Sequence, residues 1–275
     1  MHNITLNAQY YQQFDADEAL DVPGEGYGGW QTAPVELDLD HTALVVMHAW
    51  ETGTRAQYPG WYRAVEYIPR AQHIAQNVFP GLLGAARANG LTLLHVVGGG
   101  DYYKNYPGYL RARQLAGPAL APQQVTPDAA LQQLRQFRSQ HVFVGAHNAG
   151  DVARGFEQLD FVAEARPLGD EGVAENGGQL LALCQAAGVN HLIYAGFAIN
   201  WCLLMSPGGM VDMSRHGVMC SALRQAVTAV ENRESARGEG HKEEGLWRVA
   251  LSFGFVFDVD DLVRSLATTR PGETQ

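Results

Sequence analysis

Two residues of this chain stand where chemistry could be done. Cys202 closes the stretch Leu192-Ile193-Tyr194-Ala195-Gly196-Phe197-Ala198-Ile199-Asn200-Trp201-Cys202, an apolar run that turns at a glycine and delivers a thiol. His48 ends a second continuous apolar run, Thr42-Ala43-Leu44-Val45-Val46-Met47. A thiolate is a strong nucleophile, and an imidazole with an ordinary pKa near ~6.5 suits proton transfer at neutral pH, so Cys–His pairs are a common route to covalent catalysis. Each residue also has a plainer reading. Most free cysteines are small buried hydrophobes, and a histidine at a strand end can simply bond to backbone.

Both runs have the composition of buried parallel strands, whose exits lie at the carboxyl edge of the sheet, where open α/β folds bind ligands. Strand and helix patterns alternate from Thr42 to Leu266, which predicts an α/β fold: a doubly wound, mostly parallel sheet with helices on both faces. Arg70 to Ala88 reads as a helix broken at Pro80, and Leu91 to Val97 as the next strand. The Gln/Ala-rich segment from Tyr106 to Arg138 has the look of a peripheral insertion. His141 to Asn148 reads as a short edge strand and turn, with His147 beside it. A helix around Leu180 ends at Gly188, a strand covers Val218 to Leu223, a charged helix begins at Glu231, and Phe253 to Phe257 is a last strand. Residues 1–40 are expected to form an arm outside the core of the 41–275 domain, with Tyr27 and Trp30 available to pack on something else.

Composition narrows the function. The chain has 275 residues, 46% of them apolar and 17% charged, as in a globular domain. A net charge of −10 argues against nucleic acid and anionic membrane as partners and leaves small molecules. The amino terminus shows no basic region followed by an apolar stretch, so a cytoplasmic location is expected. Three cysteines, Cys184, Cys202 and Cys220, suggest neither a disulfide framework nor a thiolate metal site, and Cys184 and Cys220 are expected to be packing residues.

The turn from Gly196 to Cys202 resembles that of the isochorismatase-like cysteine hydrolases, which include nicotinamidases and N-carbamoylsarcosine amidases. The resemblance implies that Cys202 is the nucleophile, that the Phe197–Ala198 peptide bond is cis, and that backbone N–H groups near it and at Cys202 bind the oxyanion. It also implies a homo-oligomer. Ile199 replaces the family's usual threonine, and His48 falls where the family has a catalytic aspartate. The family's lysine has no counterpart, since no lysine occurs between Lys104 and Lys242. The corresponding region offers Asp170, Glu171 and Glu175 instead. A carboxylate can fix the tautomer of an imidazole and stabilise its cation, so a Cys202–His48–Glu171 relay is a coherent replacement. The acidic residues equally suit a helix amino terminus.

Around these residues, Trp50 and the aromatic segment to Tyr67 could wall a pocket, while Asp101 and Tyr103 could contact substrate beside the Gly98-Gly99-Gly100 turn, with Phe197, Ala198 and Asn200 at the nucleophile. In metal-binding nicotinamidases an aspartate and a histidine follow this strand. Asp101 fits the first position and Tyr102-Tyr103-Lys104 lacks the second, so no catalytic metal and no cofactor are expected. Two classes of function stay open: a metal-independent cysteine hydrolase of a small amide, ureido or related C–N compound, and an inactive relative that keeps the fold for binding or assembly.

Overall fold

A computed structural model describes residues 2–118 and 123–268. Among them, β1 (Asn3–Gln12), β2 (Gly29–Asp38), β3 (Thr42–Met47), β4 (Thr92–Val96), β5 (Gly172–Ala174), β6 (His191–Phe197), β7 (Met219–Thr228) and β8 (Val256–Phe257) form one sheet. The strand order is β2-β1-β8-β7-β6-β3-β4-β5. From β8 to β5 every pairing is parallel, whereas β1 runs antiparallel to both of its neighbours. The helices are α1 (Pro59–Ala64), α2 (Ile68–Asn77), α3 (Phe79–Ala88), α4 (Pro107–Ala116), α5 (Ala129–His141), α6 (Ala149–Glu157), α7 (Gly177–Ala187), α8 (Cys202–Met205), α9 (Met210–Ser214), α10 (Gly240–Ser252) and α11 (Val259–Thr268).

The two-residue period of β3 explains why its run is wholly apolar. Leu44 and Val46 pack into a layer with Ile74, Phe79, Leu82 and Leu262, while Ala43, Val45 and Met47 pack on the other face with Leu180, Leu183, Leu203 and Val249. Helices thus cover both faces of the doubly wound sheet. Each fully buried leucine, isoleucine or phenylalanine contributes about 1.5–3 kcal/mol, so the two layers hold the central strands, and the turns that leave them, in fixed register. No helix among the described residues is long and apolar enough to cross a membrane.

Several local expectations change. Residues 3–38 form the hairpin β1–β2 that extends the sheet, with Ile4, Leu6 and Ala8 buried in the same layer as Leu262 and Leu266 of α11. The segment expected as an arm outside the core therefore supplies core residues, because alternating side chains of β1 have a helix to pack against. The insertion divides in two: α4 buries Tyr109 and Ala112 and packs on α7 and β5, whereas α5 buries nothing. His141 to Asn148 is a turn between helices and not an edge strand, and His147 is exposed. The charged helix begins at Gly240, after a loop from Glu231. The break at Pro80 is present, with α2 ending at Asn77 and α3 starting at Phe79, since proline lacks the N–H that would continue the ladder.

Candidate active site

The order of the strands creates the site. The chain passes from β3 outward through β4 to β5 and then returns to place β6 on the other side of β3. At such a reversal the connections diverge and leave a crevice beyond the carboxyl ends of the two strands. His48 leaves β3 there, and Cys202 follows the turn after β6. A cavity of about 960 Å³ opens at this point and is lined by both residues, together with Trp50, Tyr67, Phe197 and Trp201.

Local geometry explains how the turn presents the thiol. Gly196 has φ of +120° and lies so close to β3 that a Cβ would meet the Met47 carbonyl oxygen at 2.0 Å. Only glycine fits. The Phe197–Ala198 peptide bond is cis. Ile199 N–H donates to the Thr228 carbonyl at 2.8 Å and Leu203 N–H to the Ala198 carbonyl at 3.1 Å, pinning the turn to β7 and to itself. The N–H groups of Ala198 and Cys202 take no part in these bonds among the described residues. Asn200 is consumed by structure: its Nδ2 donates to the Val230 carbonyl at 2.8 Å and its Oδ1 accepts from Val230 N–H at 2.9 Å. The place beside the nucleophile expected for its side chain is thus taken up by a clamp on the segment after β7.

Cys202 starts the short helix α8 with its side chain half-buried, whereas Cys184 and Cys220 are fully buried. Burial pushes both of those thiols up to about 12, so neither ionises near neutrality. The plain packing role fits Cys184 and Cys220.

His48 sits at φ +52°, a left-handed conformation that is uncommon outside glycine although histidine is among its better-tolerated occupants. Its N–H donates to the Val96 carbonyl and its carbonyl accepts from Trp50 N–H, both at 3.0 Å. The ring stacks on Trp50 with centroids 4.6 Å apart. Nδ1 is buried and makes no hydrogen bond. Burial lowers the imidazole pKa to about 4, so at pH 7 the ring is neutral and able to accept a proton.

The carboxylate of the expected relay does not reach this ring. Glu171 accepts from Arg87 Nε at 2.6 Å, from His95 Nε2 at 2.9 Å and from Leu168 N–H at 3.0 Å. Burial by itself would raise the Glu171 carboxyl, but the bonds from His95, Arg87 and Leu168 outweigh it and bring it to about 2. The physical reason is register. β5 pairs with β4, Val173 opposite His95, so the residue preceding β5 faces β4 and α3 and not the end of β3. Neither alternative carboxylate replaces it: Glu175 accepts from Tyr103 Oη and Tyr109 Oη at 2.8 and 2.7 Å, and Asp170 is exposed.

Tyr103 is thereby tied to Glu175 and packed with Tyr109, while Asp101 is exposed and paired with Lys104. Neither lines the cavity, so the substrate contacts expected of them are not supported. Trp50 and Phe197 do line it, Trp50 bonding through Nε1 to Tyr102 Oη at 2.8 Å and Phe197 stacking on Phe79. Among the described residues no cluster of three His, Cys, Asp or Glu side chains is arranged to hold a metal ion.

Part of the wall was hidden from sequence reasoning. Phe156 of α6, together with Val142 and Phe143 after α5, lines the cavity from segments far from both strands. Phe156 packs on Trp61 of α1 and on Trp50, while Val142 and Phe143 lie in the exposed turn after α5, where no periodic pattern marks a side chain as part of a cavity. Trp201, the residue before the cysteine, is half exposed and forms part of the wall next to Cys202. The adjacent large aromatic was its signal.

No family model matches this chain, and no curated protein matches it. Among solved structures it is similar to a cysteine hydrolase from Pseudomonas syringae pv. phaseolicola 1448A, at 14% identity and a TM-score of 0.47, over 85% of this chain and 96% of the other. It is also similar to an isochorismatase from Pseudomonas putida KT2440, at 17% identity and a TM-score of 0.43, over 82% and 91%. A pyrazinamidase/nicotinamidase from Streptococcus mutans UA159 shares 12% identity at a TM-score of 0.36, over 78% and 99%.

Proposed function

We propose that this chain is a cysteine hydrolase of the isochorismatase-like kind, cleaving the C–N bond of a small amide, ureido or related compound through an acyl-enzyme on Cys202. The observation that carries the reading is the shared cavity at the strand reversal, lined by the one half-buried cysteine and by a histidine kept neutral. As the sulfur attacks the carbonyl carbon, its proton passes to His48, and the oxygen takes up negative charge. The unengaged N–H groups of Ala198 and Cys202 are suited to hold that oxygen, a type of contact commonly worth about 3–4 kcal/mol in the transition state. The C–N bond then breaks, with His48 returning its proton to the departing nitrogen. Water, deprotonated by the same imidazole, cleaves the thioester and regenerates the thiol.

The aromatic wall of Trp50, Tyr67, Phe197 and Trp201 suits a compound with a flat or apolar body. The reading calls for no metal or cofactor, and it includes a cytoplasmic homo-oligomer as the working form. Screening small amides, ureas and related C–N compounds with purified protein beside Cys202→Ala tests it. Turnover by the wild-type chain with none by the variant is expected. A Cys202→Ala protein that retains turnover would remove the mechanism, and light scattering from a monomer at working concentrations would remove the oligomer.

A further inference from the structure

We infer that the substrate of this site carries a carboxylate, bound by Arg135 and Arg138 on the wall that α5 gives to the cavity. The assignment deepens the hydrolase reading and rests on it. Helix α5 buries no residue of its own, and its Leu134 and Phe137 stay exposed. Burial therefore does not explain why it lies here. What it gives to the cavity is Arg135, Arg138 and Ser139, with Val142 just beyond its end. The spacing i, i+3, i+4 and i+7 is a single face of a helix. The face turned to the cavity is thus the cationic one.

Among the described residues neither guanidinium makes a hydrogen bond or an ion pair. That is unexpected in a chain with 29 acidic and 19 basic residues. Arg70, Arg87, Arg154, Arg166, Arg224 and Arg248 are each paired with a carboxylate. Arg138 suits the carboxyl end of the helix, where a cation complements the dipole, but Arg135 stands nearly a turn earlier and gains little there. Ser139 is already engaged, its Oγ donating to the Gln136 carbonyl at 2.8 Å. Two arginines three residues apart on one helix face are neighbours, and their planar forks match the two oxygens of a carboxylate.

The acidic residues of the same cavity limit the charge it accepts. Glu51, Glu66, Glu164 and Glu231 also line it. Glu66 accepts from Arg70 at 2.8 and 2.9 Å, Glu231 from the N–H groups of His241 and Lys242 at 3.0 Å, and Glu51 from Gly53 N–H at 2.8 Å. Three of these carboxylates are therefore held by partners of their own and do not compete for Arg135 and Arg138. All still carry negative charge, so a dianion such as a phosphate ester is repelled more strongly than a single carboxylate. With the aromatic wall, the substrate class is a flat monoanion: an amide or ureido compound whose C–N group meets Cys202 and whose carboxylate meets α5.

A matched pair of alkylating reagents, iodoacetanilide and its para-carboxylate, tests the assignment. Both offer the same reactive carbon to a thiol and differ by one negative charge. Their labelling rates at Cys202 are read by mass spectrometry, each divided by its rate with 2-mercaptoethanol at the same pH. In wild type the normalised rates should favour the carboxylate about tenfold, near the low end for charge-assisted hydrogen bonds. Arg135→Gln and Arg138→Gln should each reduce that preference, and the double variant should abolish it. Lysine at both positions, which keeps the charge without the planar fork, should restore part of it. Both arginines are exposed, so these changes leave the core untouched, and continued protection of Cys184 and Cys220 reports the fold. A purely structural effect would alter the two rates alike and leave their ratio unchanged. No preference in wild type, or one that survives in the double variant, overturns the carboxylate assignment and leaves the hydrolase reading standing. Cys202 labelling no faster than Cys184 and Cys220 with either reagent removes the nucleophile itself, and this inference with it.

Discussion

The His48 imidazole stacks on the Trp50 indole with centroids 4.6 Å apart and planes 15° from parallel. Nδ1 has no hydrogen-bond partner, so under the proposed mechanism this aromatic contact would orient the ring in place of a carboxylate. Trp50 is itself held by its bond to Tyr102. Replacing Trp50 with Ala should lower kcat by roughly 10–100-fold, a loss of orientation at the base, while Trp50→Phe should recover much of it by keeping a ring to stack on. Steady-state kinetics of the two variants checks this, and equal activity in both would show the ring has no orienting role.

The acid limb of activity is expected near pH 4. Burial holds His48 at about 4, so the base stays unprotonated well below the ~6.5 of free histidine. A kcat/KM profile that falls through pH 6.5 would place the working base elsewhere.

The same histidines govern acid stability. His48 and His191 are both held at about 4 by burial, below the ~6.5 of the unfolded chain. Between those values the unfolded state binds more protons. Their contribution is therefore fully present above pH 6.5 and is lost as pH falls through 4. Melting temperatures should decline across that window, and His191→Gln should flatten the decline.

Glu171 should matter for stability and not for catalysis. Its carboxylate joins the half-buried Arg87 and the buried His95, so Glu171→Gln leaves two donors with a neutral partner, a loss of charge-assisted hydrogen bonding worth about 1.5–3 kcal/mol. Urea denaturation should report that loss while kcat holds. A collapse of kcat at unchanged stability would restore Glu171 to the catalytic relay.

Gly196→Ala should abolish the site even though no reacting group is touched. A Cβ there would lie 2.0 Å from the Met47 carbonyl oxygen, in a backbone conformation that alanine rarely adopts, so β6 must separate from β3 where Cys202 and His48 are set. Loss of soluble protein, or a folded protein whose Cys202 no longer labels selectively, is the expected outcome. Wild-type activity would show that the close approach is dispensable.

Much of this was legible from local pattern. The apolar runs of β3 and β6, the glycine turn with its cysteine, the break at Pro80 and the alternation of strands and helices depend on residues near one another in the chain, where steric and hydrophobic periodicity act directly. Those features placed Cys202 and His48 at carboxyl ends of strands. The partner of Glu171 depended instead on β5 pairing with β4, which sets Val173 beside His95 and no local pattern records. Likewise, Asn200 was claimed by Val230 and Tyr103 by Glu175 across 30 and 72 residues of chain. Residues 3–38 became part of the sheet because α11, at the far end of the sequence, covers the apolar face of β1. Sequence determined which side chains leave the strand ends; the tertiary structure decided their partners, because hydrogen bonds and ion pairs form at about 3 Å between groups whose distance along the chain carries no information.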